Sequence, residues 1–156
     1  MRSEAGNAAL ANALLLLAGA GLIGGALAFQ YLGGLAPCEM CYWQRWAVLS
    51  AIGLGLLAWA GKSARWLVAI ALLALLADAG LGVFHVGVEQ HWWQGITRCA
   101  ATPVVGSASA MLADIMAQPL VRCDAIPWSL AGISMAGWNA IVAGLAGITG
   151  LWLIRK

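Results

Sequence analysis

The sequence predicts an all-α membrane protein, a four-transmembrane-helix bundle with both termini cytoplasmic. Three observations predict it. Hydrophobic residues make up 63% of the 156 and charged residues 9%, against about 45–50% and about 25% in an average soluble domain. The uncharged apolar stretches are few and long, on the scale of the roughly 20 residues that cross a bilayer. The basic residues gather at one set of stretch ends. Together these exclude a soluble globular domain and a disordered chain. A net charge of +2 is too small to grip a polyanion, so no nucleic-acid partner is expected. The 20 glycines follow no three-residue period, which excludes collagen. One integral membrane domain over 1–156 fits the length.

The first span is expected near 8–31, inside a stretch, residues 5–38, that carries no charge. It is far longer than the roughly 7–15 residues of a signal-peptide core. Leu35-Ala36-Pro37-Cys38 has some look of a lipoprotein cleavage site, but the proline is wrong for that peptidase. The second span is expected at about 44–61, around the uncharged Trp46–Gly61, and the third at about 66–86, interrupted by Asp78. The fourth, about 128–153, lies in the uncharged residues 125–154. A long outer loop, about 87–127, joins spans three and four. Gly21 and Gly25, four residues apart, would let two helices approach closely.

With both termini inside, Arg2, Lys62, Arg65, Arg155 and Lys156 lie inside, and Arg45, Arg98 and Arg122 lie outside. That bias obeys the positive-inside rule. Eight of the nine tryptophans fall near span ends, as an interfacial belt requires, and only Trp138 sits mid-span. In the outer loop Ser107 can cap a short helix whose Ala108, Met111, Leu112, Ile115 and Met116 share one face. Such a helix would lie on the membrane lipid or pack on the bundle.

All four cysteines, Cys38, Cys41, Cys99 and Cys123, fall on the outer side, where disulfides persist. Three chemistries compete. Two structural disulfides could staple the loops; a bridge across Cys99 and Cys123 would stabilise by roughly 3 kcal/mol, but one across Cys38 and Cys41 organises little chain. A zinc site usually wants two close pairs and only one is present, so no metal is expected. A c-type haem would need histidine where Tyr42 stands. Thiol–disulfide exchange suits the short Cys-x-x-Cys spacing. Pro37 suits the first turn of a helix, whose positive end would favour a Cys38 thiolate. Arg45, four residues beyond Cys41, shares its helical face and would favour a Cys41 thiolate or a reduced anionic acceptor; alone it could equally anchor to lipid headgroups.

Pro37-Cys38-x-x-Cys41-x-x-x-Arg45 at the head of the second of four spans, with two more cysteines in the outer loop, resembles the DsbB family. Phe84–Glu89, Arg122-Cys123-Asp124 and Gly132–Asn139 also resemble it. The resemblance implies a multi-pass protein of the bacterial inner membrane with its active cysteines periplasmic. It implies an enzyme that reoxidises a DsbA-like, thioredoxin-fold thiol oxidase and passes the electrons to a quinone, ubiquinone or menaquinone. It implies catalytic roles for all four cysteines. Cys99 would form the mixed disulfide with the partner, Cys123 would exchange with Cys38, and Cys41, Arg45, His85 and Met135 would lie at the quinone. Vitamin K epoxide reductase-like proteins also couple cysteine pairs to quinone, but their loop pair precedes the Cys-x-x-Cys. A membrane scaffold with two structural disulfides is the non-enzymatic alternative. The segment Gly95–Cys99 departs from the best-known pattern of the family.

Asp78 is the carboxylate inside a span and reads as bonded to a neighbouring helix or, with His85 seven residues on, as part of a proton route. His91, beside Trp92, reads as a surface residue.

Overall fold

The computed structural model describes residues 2–61, 64–96 and 121–156. Among them are four long helices: α1 (Arg2–Tyr31), α2 (Glu39–Ala60), α3 (Arg65–Glu89) and α4 (Met135–Arg155). Two short strands, β1 (Ser129–Leu130) and β2 (Ile133–Ser134), pair antiparallel just ahead of α4, with Ser129 opposite Ser134 and Leu130 opposite Ile133. Cys99 and the expected loop helix around Ser107 lie outside the described residues.

The helices run alternately up and down. Asn12 Nδ2 donates to Gly55 O at 3.0 Å and Arg45 reaches Ala26 O, so α1 and α2 are antiparallel. Gly82 faces Ala140 and Gly150 faces Leu72, so α3 and α4 are antiparallel too. Arg65 pairs with Glu4 at 3.8 Å, which puts the starts of α1 and α3 at one end. Both chain termini therefore share that end, and the Cys-x-x-Cys lies at the other.

The core between the helices is built of small and branched residues: Leu15, Val48, Ala51, Val68, Leu75 and Ala143 are all buried. Larger ones point outward: Leu17 is 74% exposed, and Leu57, Leu145 and Ile148 are each above 60%. An apolar shell around a small-residue interior is what lipid as solvent demands, because helices there associate by close packing rather than by hiding apolar surface. α1, α3 and α4 are long and apolar enough to cross a membrane. α2 falls short of that standard because its first two turns carry Glu39, Gln44 and Arg45. The chain is thus a multi-pass membrane protein.

Close approach occurs at glycines other than the expected pair. Gly21 and Gly25 have nothing within 4 Å of a would-be Cβ among the described residues. Gly82 is the tight point: a Cβ there would meet Ala140 Cβ at 2.9 Å and Ala136 O at 3.1 Å. Backbone cannot yield as a side-chain tip can. Gly82→Val should therefore cost about 1–3 kcal/mol and lower the detergent unfolding temperature. Gly80→Val, with open space at its Cβ, should leave that temperature near the wild-type value.

The fourth helix begins at Met135, not near Trp128 as the uncharged run suggests. Residues 129–134 form the hairpin instead, because Ala131 (φ 52°) and Gly132 (φ 78°) both adopt left-handed backbone, the signature of a tight two-residue turn. Ser134 then caps α4, its Oγ accepting from Gly137 N at 3.1 Å. Trp138 consequently sits in the first turn of α4, donating to Leu130 O at 3.2 Å, so it joins the other tryptophans near element ends. At the next residue, Asn139 Nδ2 donates to the fully buried Asp78 of α3 at 3.0 and 3.1 Å. This is a bond to a neighbouring helix, the first of the two readings of Asp78 that the sequence offers.

Candidate thiol-exchange site

The site assembles where α2 starts and α3 ends. α1 stops at Tyr31, and Gly34 turns the chain in left-handed backbone (φ 67°). Pro37 lies one residue outside α2 rather than in its first turn; Cys38 is the N-cap, with extended backbone. Its sulfur does what a serine oxygen does at such a cap, accepting from Cys41 N at 3.2 Å. Cap geometry brings the two sulfurs together, Sγ to Sγ 2.8 Å.

Cys38 is buried and Cys41 half-buried. Both lie ahead of the uncharged run Trp46–Ala60 of α2, and their acidities diverge. The bond between the two sulfurs above all holds the Cys41 thiol down at about 7, with Arg45's cation adding to it against the opposing effect of burial. The same bond, with burial, pushes Cys38 up. Cys41, not the helix-capping Cys38, is therefore the thiolate of the pair.

His85 projects from α3 into this cluster with Nε2 3.7 Å from Cys38 Sγ, and it too is buried. Cys123 packs with Cys38, Met40 and Val88 in one buried cluster, against which Cys41 and Phe84 lie. Cys123 is itself disulfide-bonded. Its neighbours Arg122 and Asp124 pair through two bonds of 2.9 and 2.6 Å. Arg122's guanidinium holds the Asp124 carboxyl down at about 2, so the turn around Cys123 is pinned from both sides. Beyond α3, His91 is exposed and takes left-handed backbone (φ 59°), which folds the Trp93 ring back over Gly87. Trp93 stacks on Phe84 at 5.6 Å and donates to Phe84 O at 3.0 Å.

A cavity of about 480 Å³ opens beside the sulfurs. One wall carries Cys38, Cys41, Arg45 and His85; another carries Met135 and Asn139. It continues along α1 past Phe29 and Gly25 to Gly21, about 12 Å of helix at 1.5 Å per residue. The open flanks of Gly21 and Gly25 are thus cavity wall, not a helix contact. Arg45 is half-buried in this wall, not stretched toward headgroups. It donates to Gln30 Oε1 and, at 3.1 Å, to Ala26 O, and its guanidinium lies 5.5 Å from the Tyr42 ring centre.

Of the residues expected at the site, Cys38, Cys41, Arg45, His85 and Met135 meet around this cavity, with Cys123 packed behind the pair. Cys99 is outside the described residues. Two further residues belong to the cavity. Gln44 is buried with Nε2 unpartnered among the described residues, and Glu89 is buried with Oε2 likewise unpartnered. Each had a signal in the spacing: Gln44 follows Cys41 by three residues and Glu89 follows His85 by four, which puts them on shared helical faces.

The donor atoms of Cys38, Cys41 and His85 lie within 4.8 Å of one another. Two thiolates on one zinc stand about 3.8 Å apart; sulfurs at 2.8 Å are placed to close a disulfide with each other. A quinone head fits the cavity better: apolar walls for a ring and tail, and unpartnered Gln44 Nε2 with Arg45 as donors to ring oxygens.

A family model described as "Disulfide bond formation protein DsbB" matches residues 8–153. The chain is 30% identical over 150 residues to Disulfide bond formation protein B of Aromatoleum aromaticum, covering 88% of this chain and 86% of that one. It is 32% identical to the protein of that name from Verminephrobacter eiseniae, covering 92% and 84%, and 32% identical to that of Dechloromonas aromatica, covering 87% and 86%. No solved structure gives a significant match.

Proposed function

Because the chain belongs to the DsbB family of disulfide bond formation proteins, we propose that it reoxidises a periplasmic DsbA-like oxidase and delivers the electrons to a membrane quinone. Membership makes it a membrane thiol–disulfide oxidoreductase. The finer reading rests on one observation above others: the Cys38–Cys41 pair opens on an apolar cavity on one side, and its buried member Cys38 packs with Cys123 on the other.

The soluble partner's thiolate attacks the Cys99–Cys123 disulfide at Cys99. The Cys123 sulfur so released exchanges with Cys38, and Cys41 is left as the thiolate facing the cavity. Each step is thiolate attack on a disulfide sulfur, and a leaving thiol of lower pKa leaves faster; a Cys41 thiol at about 7 suits the leaving position when Cys123 attacks Cys38. Arg45 and Gln44 hold the head of the acceptor, and Met135 closes the wall beside it. The quinone supplies a two-electron, two-proton sink. His85, beside Cys38, is placed to take a proton from it.

The chain is one membrane domain with four spans, α2 being the fourth once its polar first turns are set in the interface. Both termini face the cytoplasm and all four cysteines face the periplasm of a bacterial inner membrane. Impermeant thiol reagents should label all four cysteines from the periplasmic side after reduction. Labelling of either pair from the cytoplasm alone would overturn orientation and mechanism together. The decisive assay is anaerobic: purified protein with a reduced DsbA-like donor should reduce quinone stoichiometrically and, on mixing, develop the visible absorbance of a thiolate–quinone charge-transfer complex.

A further inference from the structure

Re-forming the Cys38–Cys41 disulfide sends two electrons to the quinone, which takes up two protons and becomes a hydroquinone. The ligand thus arrives with oxygens that only accept hydrogen bonds and leaves with two O–H groups that donate them. Arg45 and Gln44 offer donors, which suit the oxidised form. The reduced form calls for an acceptor in the cavity wall.

Asp78 and Asn139 supply one. Asp78, on α3, is 0% exposed and lies seven residues before His85, about 10 Å of helix deeper in the bundle. Both its carboxyl oxygens meet one nitrogen, Asn139 Nδ2, at 3.0 and 3.1 Å, and it forms no ion pair among the described residues. A link between helices is by itself a weak reason for a carboxyl at that depth, because a hydroxyl or an amide would make the link with no costly charge. What the carboxyl adds is direction. A hydroxyl or an amide both donates and accepts, so it would take the Asn139 amide either way round; two accepting oxygens take its nitrogen.

The amide oxygen and nitrogen diverge from one carbon, so Asn139 Oδ1 is left facing away from Asp78. It accepts no bond among the described residues and is not sealed in the protein interior. Asn139 is half-buried and lines the cavity together with Met135 and Val142 of the same helix. Arg45, on another wall, lies about 6 Å along α2 from Cys41 in the same inward direction. The two oxygens of a para-quinone stand at opposite ends of the ring, so one head can meet both walls.

We propose that Asn139, oriented by Asp78, accepts a hydrogen bond from a hydroxyl of the reduced quinone and is the residue by which the cavity tells hydroquinone from quinone. Asn139 touches the ligand; Asp78 is a positioning residue that acts through it. Through differential affinity, such a contact draws electrons from the thiols toward the ligand. The proposal rests on the quinone-linked reading above and names the form of the ligand that the deep wall recognises.

The test measures binding rather than turnover. Full-length protein in detergent, with its disulfides closed and under anaerobic conditions, is titrated calorimetrically with three probes: ubiquinone with a single-isoprene tail, its hydroquinone, and the dimethyl ether of that hydroquinone, which has lost both O–H donors. Wild type should bind the hydroquinone about fivefold more tightly than the ether. Asn139→Leu should weaken hydroquinone binding by about the same factor, leave quinone binding within about twofold, and so remove most of the preference over the ether. Asp78→Leu should move binding the same way, and Asp78→Asn, which keeps an oxygen for Asn139 Nδ2, should fall between it and wild type. Equal weakening of quinone and hydroquinone in Asn139→Leu, or no weakening of either, overturns the proposal and leaves the pair as a helix link. If the variants do not fold, wild type still decides: an ether that binds as tightly as the hydroquinone overturns it. Should wild type bind neither quinone nor hydroquinone, the proposed function falls with it; should it bind both without regard to free hydroxyls, the function stands and the role of Asn139 falls.

Discussion

Replacing Cys41 with serine should abolish quinone reduction, a loss of several orders of magnitude, while the partner-facing disulfide remains reducible. The sulfur is needed twice. Cys38 must have a partner with which to close a disulfide, and a serine hydroxyl cannot be oxidised to one. The group facing the cavity must also carry charge near neutral pH. Cys41 does so because its bond to the Cys38 sulfur and the Arg45 cation one turn along both hold its thiol down; an alcohol titrates far too high. The fold should survive, since the cap on α2 is made by the Cys38 sulfur and the Cys41 amide, which serine keeps. Measured side by side, Cys99→Ser should block reduction by the soluble donor yet leave Cys38 and Cys41 able to reduce quinone after chemical reduction. Normal quinone turnover by Cys41→Ser would show that the two pairs have been assigned the wrong way round.

Arg45→Met should slow quinone reduction about a hundredfold, the effect of removing one preorganised donor at a site of developing charge. A cation at the membrane edge acts through less screening than in water. Its loss should also raise the midpoint of Cys41 alkylation, since Arg45 is one of the groups holding that thiol down. The bonds from Arg45 to Gln30 and Ala26 tie α2 to α1, so the Met variant also loses a helix–helix link and some thermal stability. Arg45→Lys separates the two effects. It keeps the charge but not the planar fork, and should give intermediate rates with a near-normal alkylation midpoint. Wild-type rate and quinone dependence in the Met variant would remove Arg45 from the redox site.

Much of the fold was legible because lipid leaves a one-dimensional trace: long uncharged runs became α1, α3 and α4, and the Pro-Cys-x-x-Cys marked the start of α2 within a residue. The hairpin before α4 was not, because Leu130 and Ile133 are as apolar as the helix they precede; what sets the boundary is left-handed backbone at Ala131, a residue that usually avoids it. Gly21 and Gly25 had the right spacing for a helix contact, yet spacing does not say which face of α1 a neighbour covers. At the site, Cys38, Cys41 and Arg45 were legible in their own spacing, and Met135 and the place of His85 beside them through resemblance to a known pattern. Glu89 entered the sequence reading only as the last residue of the resembling stretch Phe84–Glu89. Only the packing of α3 against α2 and α4 turns it inward, and no periodicity in a single helix encodes that.

Gly21 is exposed on the outer surface of α1 and at the same time lines the cavity. It lies about 15 Å along the helix from Tyr31, well inside the apolar shell. The cavity is therefore reached from the hydrocarbon, and its occupancy follows how much acceptor is dissolved in the lipid or detergent phase rather than in the buffer. Apparent affinities for quinones of different tail length should converge when expressed as mole fraction in that phase, and bulkier detergent at fixed bulk quinone should weaken saturation simply by dilution.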